Sequence, residues 1–186
     1  MRSRIAGADL YLLNPQGVIF GRDAALELPG SLYLGGAESL ALEDGVRLWS
    51  DPARPVVLSS ARPSAWGFGE RAGGGIEIQG SALSLAASTT LSLAGSEISV
   101  RGRERQQGES FGFRVLRAPR GRVELVAVAS NGDALLRPDG IDVSGIERLG
   151  AVSIGGWAQH DGTSAGASQL RVRAESLLQD EAYLFF

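Results

Sequence analysis

Apolar residues recur along this chain as pairs two positions apart, each pair set off by small or polar neighbours. From residue 26 the pairs are Leu26/Leu28, Leu32/Leu34, Leu40/Leu42 and Val46/Leu48. From residue 76 they are Ile76/Ile78, Leu83/Leu85, Leu91/Leu93 and Ile98/Val100. Every second side chain of an extended strand points the same way, so each pair predicts a short strand with one buried face. The separators Pro29-Gly30, Glu43-Asp44-Gly45, Gln79-Gly80 and Ala94-Gly95-Ser96 carry turn chemistry. Three strands complete a cycle of 20 residues in the first block (26 to 46) and 22 in the second (76 to 98). A cycle of ~20–25 residues with one strand per side suits a parallel β-solenoid, whose coils stack about 4.8 Å apart. Antiparallel hairpins produce the same alternation, and Asp44-Gly45, Asn131-Gly132, Asp139-Gly140 and Asp161-Gly162 are hairpin dipeptides, so a sandwich is the rival fold.

The expectation is therefore an all-β domain over residues 1–186, a single-stranded parallel β-helix of about 20–22 residues per coil. Leu28, Leu34, Leu42, Ile78, Leu85, Leu93 and Val100 should face one continuous interior. Helix is not expected, with Ala174–Ala182 near the end as the one exception. Two segments break the strand rhythm and read as loop excursions. Residues 50–75 hold three of the seven prolines with Trp66 and Phe68, and residues 101–122 hold seven Arg against two Glu. Strands resume at GRVELVAVAS, residues 121–130.

Composition narrows the chemistry. All 18 basic residues are Arg, there is no Cys, and His160 is the only histidine. Lysine Schiff bases, P-loop phosphate binding, thiol nucleophiles and thiolate metal sites are thereby excluded. The net charge of −3 argues against nucleic acid or anionic membrane as a partner held by bulk charge. No apolar run approaches the ~20 residues of a membrane-spanning helix, and the first residues do not form a signal peptide. The 26 glycines, roughly twice the usual share of about 7%, imply many tight turns.

Several motifs invite a sharper reading and fail on context. Gly162-Thr163-Ser164-Ala165-Gly166 has nucleophile-elbow spacing, but the only His precedes the Ser, so Ser164 and His160 read as turn residues. Asp139 and Asp142 are distant carboxylates for any chemistry at His160-Asp161. Gly67-Phe68-Gly69 with Gly73–Gly75 lacks the lysine and helix of a phosphate loop. Tyr183-Leu184-Phe185-Phe186 lacks the lipid-facing strands of a membrane barrel. The outward Ser and Thr positions around Ser84–Ser92 could bind glycans weakly, against the plainer reading of a face kept polar for solubility. Arg114, Arg117, Arg120 and Arg122 contain no acid between them and form a candidate patch for an anionic partner, against the plainer reading of a solvated loop. No residue is assigned a catalytic, cofactor or metal role.

The most informative segment is NPQGVIFG, Asn14–Gly21. Pro15 presets a turn φ, Asn14 can accept from its own following backbone, Gly17 relieves the exit, and Val18, Ile19 and Phe20 launch a strand. In its setting, ADLYLLNPQGVIFGRDAALELPGS, it resembles the N-terminal secretion domain of the filamentous haemagglutinin family, the large exoproteins of two-partner secretion. The likeness continues through PSAWGFGERAGGGIEIQGSALSLAASTTLSLAGSEISVRG (63–102) and GRVELVAVASNGDALL (121–136). Gln16 stands where the family's motif has a second Asn, and Trp66 replaces its first aromatic. Residues 137–186 match only in rhythm.

The resemblance implies a right-handed parallel β-helix and a non-enzymatic secretion and adhesion module. It implies recognition by an outer-membrane β-barrel transporter with POTRA domains, secretion or cell-surface display, and a host glycan or protein receptor. Asn14, Pro15, Gln16, Gly17, Val18, Ile19 and Phe20 would form the secretion-motif turn. The family's signal peptide, N-terminal cap and earlier Asn-Pro motif are not in this sequence, so fraying before about residue 14 and aggregation through an open edge are expected. Two other readings stay open: a β-helical polysaccharide lyase or hydrolase, and a purely structural passenger stalk.

Overall fold

The computed structural model describes residues 7–55, 57–70, 73–102, 114–155, 159–160 and 169–180. Among these residues it is all-β, with no helix. The first strands are β1 (Leu10–Leu13), β2 (Val18–Phe20), β3 (Ala25–Leu28), β4 (Leu32–Gly35), β5 (Ser39–Leu42), β6 (Arg47–Trp49) and β7 (Pro63–Phe68). There follow β8 (Ile76–Gln79), β9 (Ala82–Leu85), β10 (Thr90–Gly95), β11 (Ile98–Arg101), β12 (Arg114–Arg117) and β13 (Arg122–Ala127). The last are β14 (Gly132–Arg137), β15 (Gly140–Asp142), β16 (Ala151–Gly155), β17 (Gln159–His160), β18 (Gln169–Arg173) and β19 (Ser176–Asp180).

Most strands belong to three parallel sheets. The first runs β1-β4-β10-β13-β18, the second β2-β8-β11-β16-β19 and the third β3-β9-β12-β17. The chain visits them in a fixed rotation, first, second, third, and parallel register carries each apolar pair onto its equivalent. Leu10 pairs with Leu32, Leu32 with Leu91, Leu91 with Val123, and Val123 with Leu170. In the second sheet Val18, Ile76, Ile98 and Val152 stack in the same manner. Where nothing intervenes the step is 22 residues, as from Leu10 to Leu32 and from Ile76 to Ile98. All three sheets contribute to one core, which contains Leu26, Leu32, Leu34, Ile78, Leu83, Leu91, Leu93, Val100, Leu125 and Ile154. Full burial of such a side chain stabilises by about 1.5–3 kcal/mol, and the same position is filled in layer after layer.

The fourth sheet departs from the sequence reading. It is antiparallel, in the order β15-β14-β7-β5-β6, and is assembled from two separate insertions. Leu40/Leu42 and Val46/Leu48 are not successive parallel strands: β5 and β6 pair as a hairpin, Leu40 opposite Leu48. The turn explains why. Gly45 has φ +83, its N–H donates to the Leu42 carbonyl, and Asp44 Oδ1 accepts from the Val46 N–H. The predicted excursion at 50–75 contains β7, which inserts between β5 and β14. The excursion at 101–122 ends in β12, because Leu116 is a core residue paired with Leu83. Ala174–Ala182 holds strand β19 and not a helix, because Leu177 continues the ladder from Val152.

The antiparallel sheet covers the outer face of the first sheet and creates a second core of Ala37, Leu40, Leu42, Trp66, Phe68, Ala94, Val126, Val128, Ala134 and Ile141. The expected buried positions are all buried, but Leu42 belongs to this second core and not to a single continuous interior. The close approach is made at Gly35, where a Cβ would lie 2.4 Å from the Trp66 ring. Ser92 faces outward from the first sheet, yet it is fully buried and not solvated.

Trp66→Ala should cost about 3–5 kcal/mol, as for other fully buried aromatic truncations. Ile19→Ala, at a side chain 67% exposed, should stay within about 0.5 kcal/mol. Urea denaturation monitored by circular dichroism checks both, and equal losses would show that Trp66 is not the anchor of the second core.

Candidate functional site

Asn14 ends the first layer of the first sheet, and the chain must turn there to enter the second. Its backbone N–H donates to the Gly35 carbonyl at 2.9 Å, which holds the entry, and its Oδ1 accepts from the Gln16 N–H at 3.0 Å. The Gly17 N–H closes the turn on the Asn14 carbonyl at 3.0 Å. Gly17 has φ +87, and a Cβ there would sit 2.2 Å from the Gly75 carbonyl oxygen, so only glycine satisfies both the conformation and the space. The turn thus packs backbone against backbone on Gly74-Gly75, where the chain returns from the antiparallel sheet to β8. The Val18 N–H donates to that same Gly75 oxygen at 3.0 Å.

The seven motif residues divide by role. Asn14, Pro15, Gln16 and Gly17 make the turn; Val18 and Phe20 pack against the main core; Ile19 points outward. Beside the turn lies an open groove of about 480 Å³ on the outer face of the second sheet, lined by Gln16, Ile19, Glu77, Ser99 and Arg101 among others.

The four arginines do not share one loop. Arg114 and Arg117 begin and end β12 in the third sheet, and their side chains lie outside the described residues. Arg120 occupies the following turn with φ +53 and is exposed. Arg122 opens β13 on the outer face of the first sheet, where it donates to the Pro138 carbonyl at 3.2 Å and approaches Glu124 at 3.6 Å. It is half-buried and engaged by the turn of the β14–β15 hairpin, which supplies the Pro138 carbonyl. His160 ends β17, with its side chain outside the described residues; Ser164 and Tyr183–Phe186 also lie outside them. Asp142 is half-buried, and the Ser144 N–H bonded to it at 2.9 Å holds its carboxyl below the ordinary value. Among the described residues no group of three His, Asp or Glu could hold a metal ion.

Two charged constellations were not singled out in the sequence. Glu124 is only 3% exposed, in a cleft of about 250 Å³ between the first sheet and the β14–β15 hairpin, with Arg171 and Arg173 on the adjoining strand β18. Burial pushes its carboxyl above the ordinary value, and Arg122, Arg171 and Arg173 pull the other way. Alternation in GRVELVAVAS places Glu124 outward, which ordinarily means solvent; nothing local announces the hairpin that covers it. The second is Arg47, which grips Asp133 through two bonds of 3.0 and 2.7 Å and reaches Ser39 Oγ at 3.0 Å. This pair joins the two insertions.

The chain matches no family model, no curated protein and no solved structure.

Because its carboxyl is raised, Glu124 binds a proton more readily in the folded than in the unfolded state. Its ionised form is a cost at neutral pH that disappears as pH falls through the raised folded value towards 4.5. Glu124→Gln should therefore flatten the rise in stability over that window, measured by urea unfolding at a series of pH values. An unaltered slope would place the titration elsewhere.

Proposed function

We propose that this chain is a secretion and adhesion module of a two-partner secretion exoprotein, and that its three parallel sheets are the faces of a right-handed β-helix. The observation that carries the reading is the turn at Asn14–Gly17. The residues that resemble the haemagglutinin-family motif form a turn whose glycine lies on the backbone of Gly74-Gly75, in the second block of resemblance. Two segments far apart in sequence, each carrying the likeness, meet at one corner. The rotation of the chain through three parallel sheets, with like residues stacked in register, supports the helix. A stack of this kind can fold layer by layer as an extended chain leaves a pore, because each layer pairs only with its neighbours. The absence of cysteine leaves no disulfide to obstruct passage.

On this reading the partners are an outer-membrane transporter with POTRA domains and a host-surface glycan or protein receptor. The site of action is the cell surface or beyond. Among the described residues no helix is long and apolar enough to cross a membrane. Asn14, Pro15, Gln16 and Gly17 present the export turn, with Ile19 exposed beside it.

The test places this segment in a complete exoprotein co-expressed with its transporter. Asn14→Ala removes one side-chain acceptor, a loss of about 1 kcal/mol by analogy with helix caps, and Gly17→Val, which meets the Gly75 backbone, should cost more. Both should reduce the secreted fraction further than the matched changes Asn131→Ala and Gly132→Val. Gly132 is a fair control, since it too has positive φ, +138, and a crowded setting. Equal secretion defects at the two turns would reduce Asn14–Gly17 to a local structural role.

A further inference from the structure

We propose that the cleft at the joint between the two insertions binds a neutral pyranose sugar. The cleft has a volume of about 420 Å³ and is walled by Glu38, Arg47, Trp49, Glu70, Asn131 and Asp133, from β5–β7 on one side and the approach to β14 on the other. The volume falls within the range of small-molecule sites.

Three features converge on a sugar. Trp49 is exposed at 36%, though a large aromatic side chain gains more from burial than from facing water. Its indole offers a negatively charged π face suited to the slightly positive C–H bonds of a pyranose ring. Beside it, the Arg47–Asp133 pair is held flat by its two mutual bonds and by Ser39 Oγ, yet the side chains remain 30% and 41% exposed. A planar fork of this kind presents unused donor and acceptor directions to vicinal hydroxyls, with little rotamer entropy left to lose. Glu38, Glu70 and Asn131 add acceptors and an amide around the rim.

The charge around the cleft selects against acidic sugars. Glu38, Glu70 and Asp133 are acidic, and the Arg47 charge is taken by Asp133. Arg54 lies over the Trp49 ring at 3.8 Å with its side chain 51% exposed, and reaches Asp51 only at 3.9 Å. On this proposal the sugar takes the ring face that Arg54 covers, and Arg54 gives it up on binding. Joining the two insertions accounts for the Arg47–Asp133 pair, and Arg54 and Arg47 over the ring at 3.8 and 5.9 Å hold the indole in place, but neither accounts for Glu38, Glu70 and Asn131 gathered around it.

The proposal rests on the adhesion part of the reading above and is tested apart from export. The 186-residue chain is titrated with methyl glucoside, galactoside, mannoside and N-acetylglucosaminide, and ring-proton saturation transfer is read by NMR. At least one of these should bind, with transfer to ring C–H protons. Trp49→Ala should weaken binding by about tenfold with the unfolding midpoint nearly unchanged, and Trp49→Phe should recover part of the loss. Arg54→Ala should keep or tighten binding. In the secretion assay Trp49→Ala should export normally, so a failure here and a failure of the export reading are distinguishable. The proposal is overturned if none of the four sugars shows transfer, if Trp49→Ala leaves binding unchanged, or if a sulfated glycan binds in their place.

Discussion

Register between parallel strands is the constraint on which the rest of this structure depends. In each parallel sheet a residue pairs with its equivalent one layer away, so Leu32 lies between Leu10 and Leu91 and Ile76 between Val18 and Ile98. A slip of one residue would turn every apolar pair out of the core, so each turn must return the chain in phase. This is why the closest packing at the corner between the first and second sheets is backbone against backbone. Gly17, Gly74 and Gly75 approach closer than any side chain would permit, and the Gly74 N–H donates to the Gly36 carbonyl at 2.8 Å.

The antiparallel sheet solves a second problem, the outer face of the first sheet. That face carries Tyr11, Tyr33, Ser92 and Glu124 in one register column and Gly35, Ala94 and Val126 in the next. Tyr11 and Tyr33 stack with centroids 4.6 Å apart. Beyond them the residues are too small to exclude water, and the two insertions supply what is missing: Trp66 lies on Gly35, and Phe68, Ala134 and Ile141 complete the layer. Because β14 pairs with β7 across the intervening parallel strands, this sheet closes only after β8–β13 are present. Such non-local pairing is slow to form and sensitive to the order in which the chain becomes available.

The charged groups follow from that cover. Glu124 and Arg122 occupy outward positions of β13 that would be solvated in a bare sheet. Under the β14–β15 hairpin they are partly desolvated, and Arg171 and Arg173 gather beside the buried carboxylate. Arg47 and Asp133 come from different insertions and become partners only when the two meet. The exposed Trp49 and its rim of carboxylates lie at that same seam.

What the sequence determined by itself was which side chains face inward. Leu28, Leu34, Ile78, Leu85, Leu93 and Val100 were legible because period-two alternation is a local property of an extended backbone. The turn at Asn14–Gly17 was legible because Asn, Pro and Gly each restrict φ or bond to their own neighbours. Only the tertiary structure decided what each strand pairs with. Leu40/Leu42 and Val46/Leu48 alternate as the other pairs do, yet β5 and β6 form a hairpin, since alternation specifies a face and not a partner. Residues 63–68 hid a strand behind prolines and glycines because Trp66 finds its burial on Gly35, far away in sequence. Glu124 illustrates the same limit from the polar side: its outward direction is local, but whether water or a hairpin lies there depends on residues that reach it only through the fold.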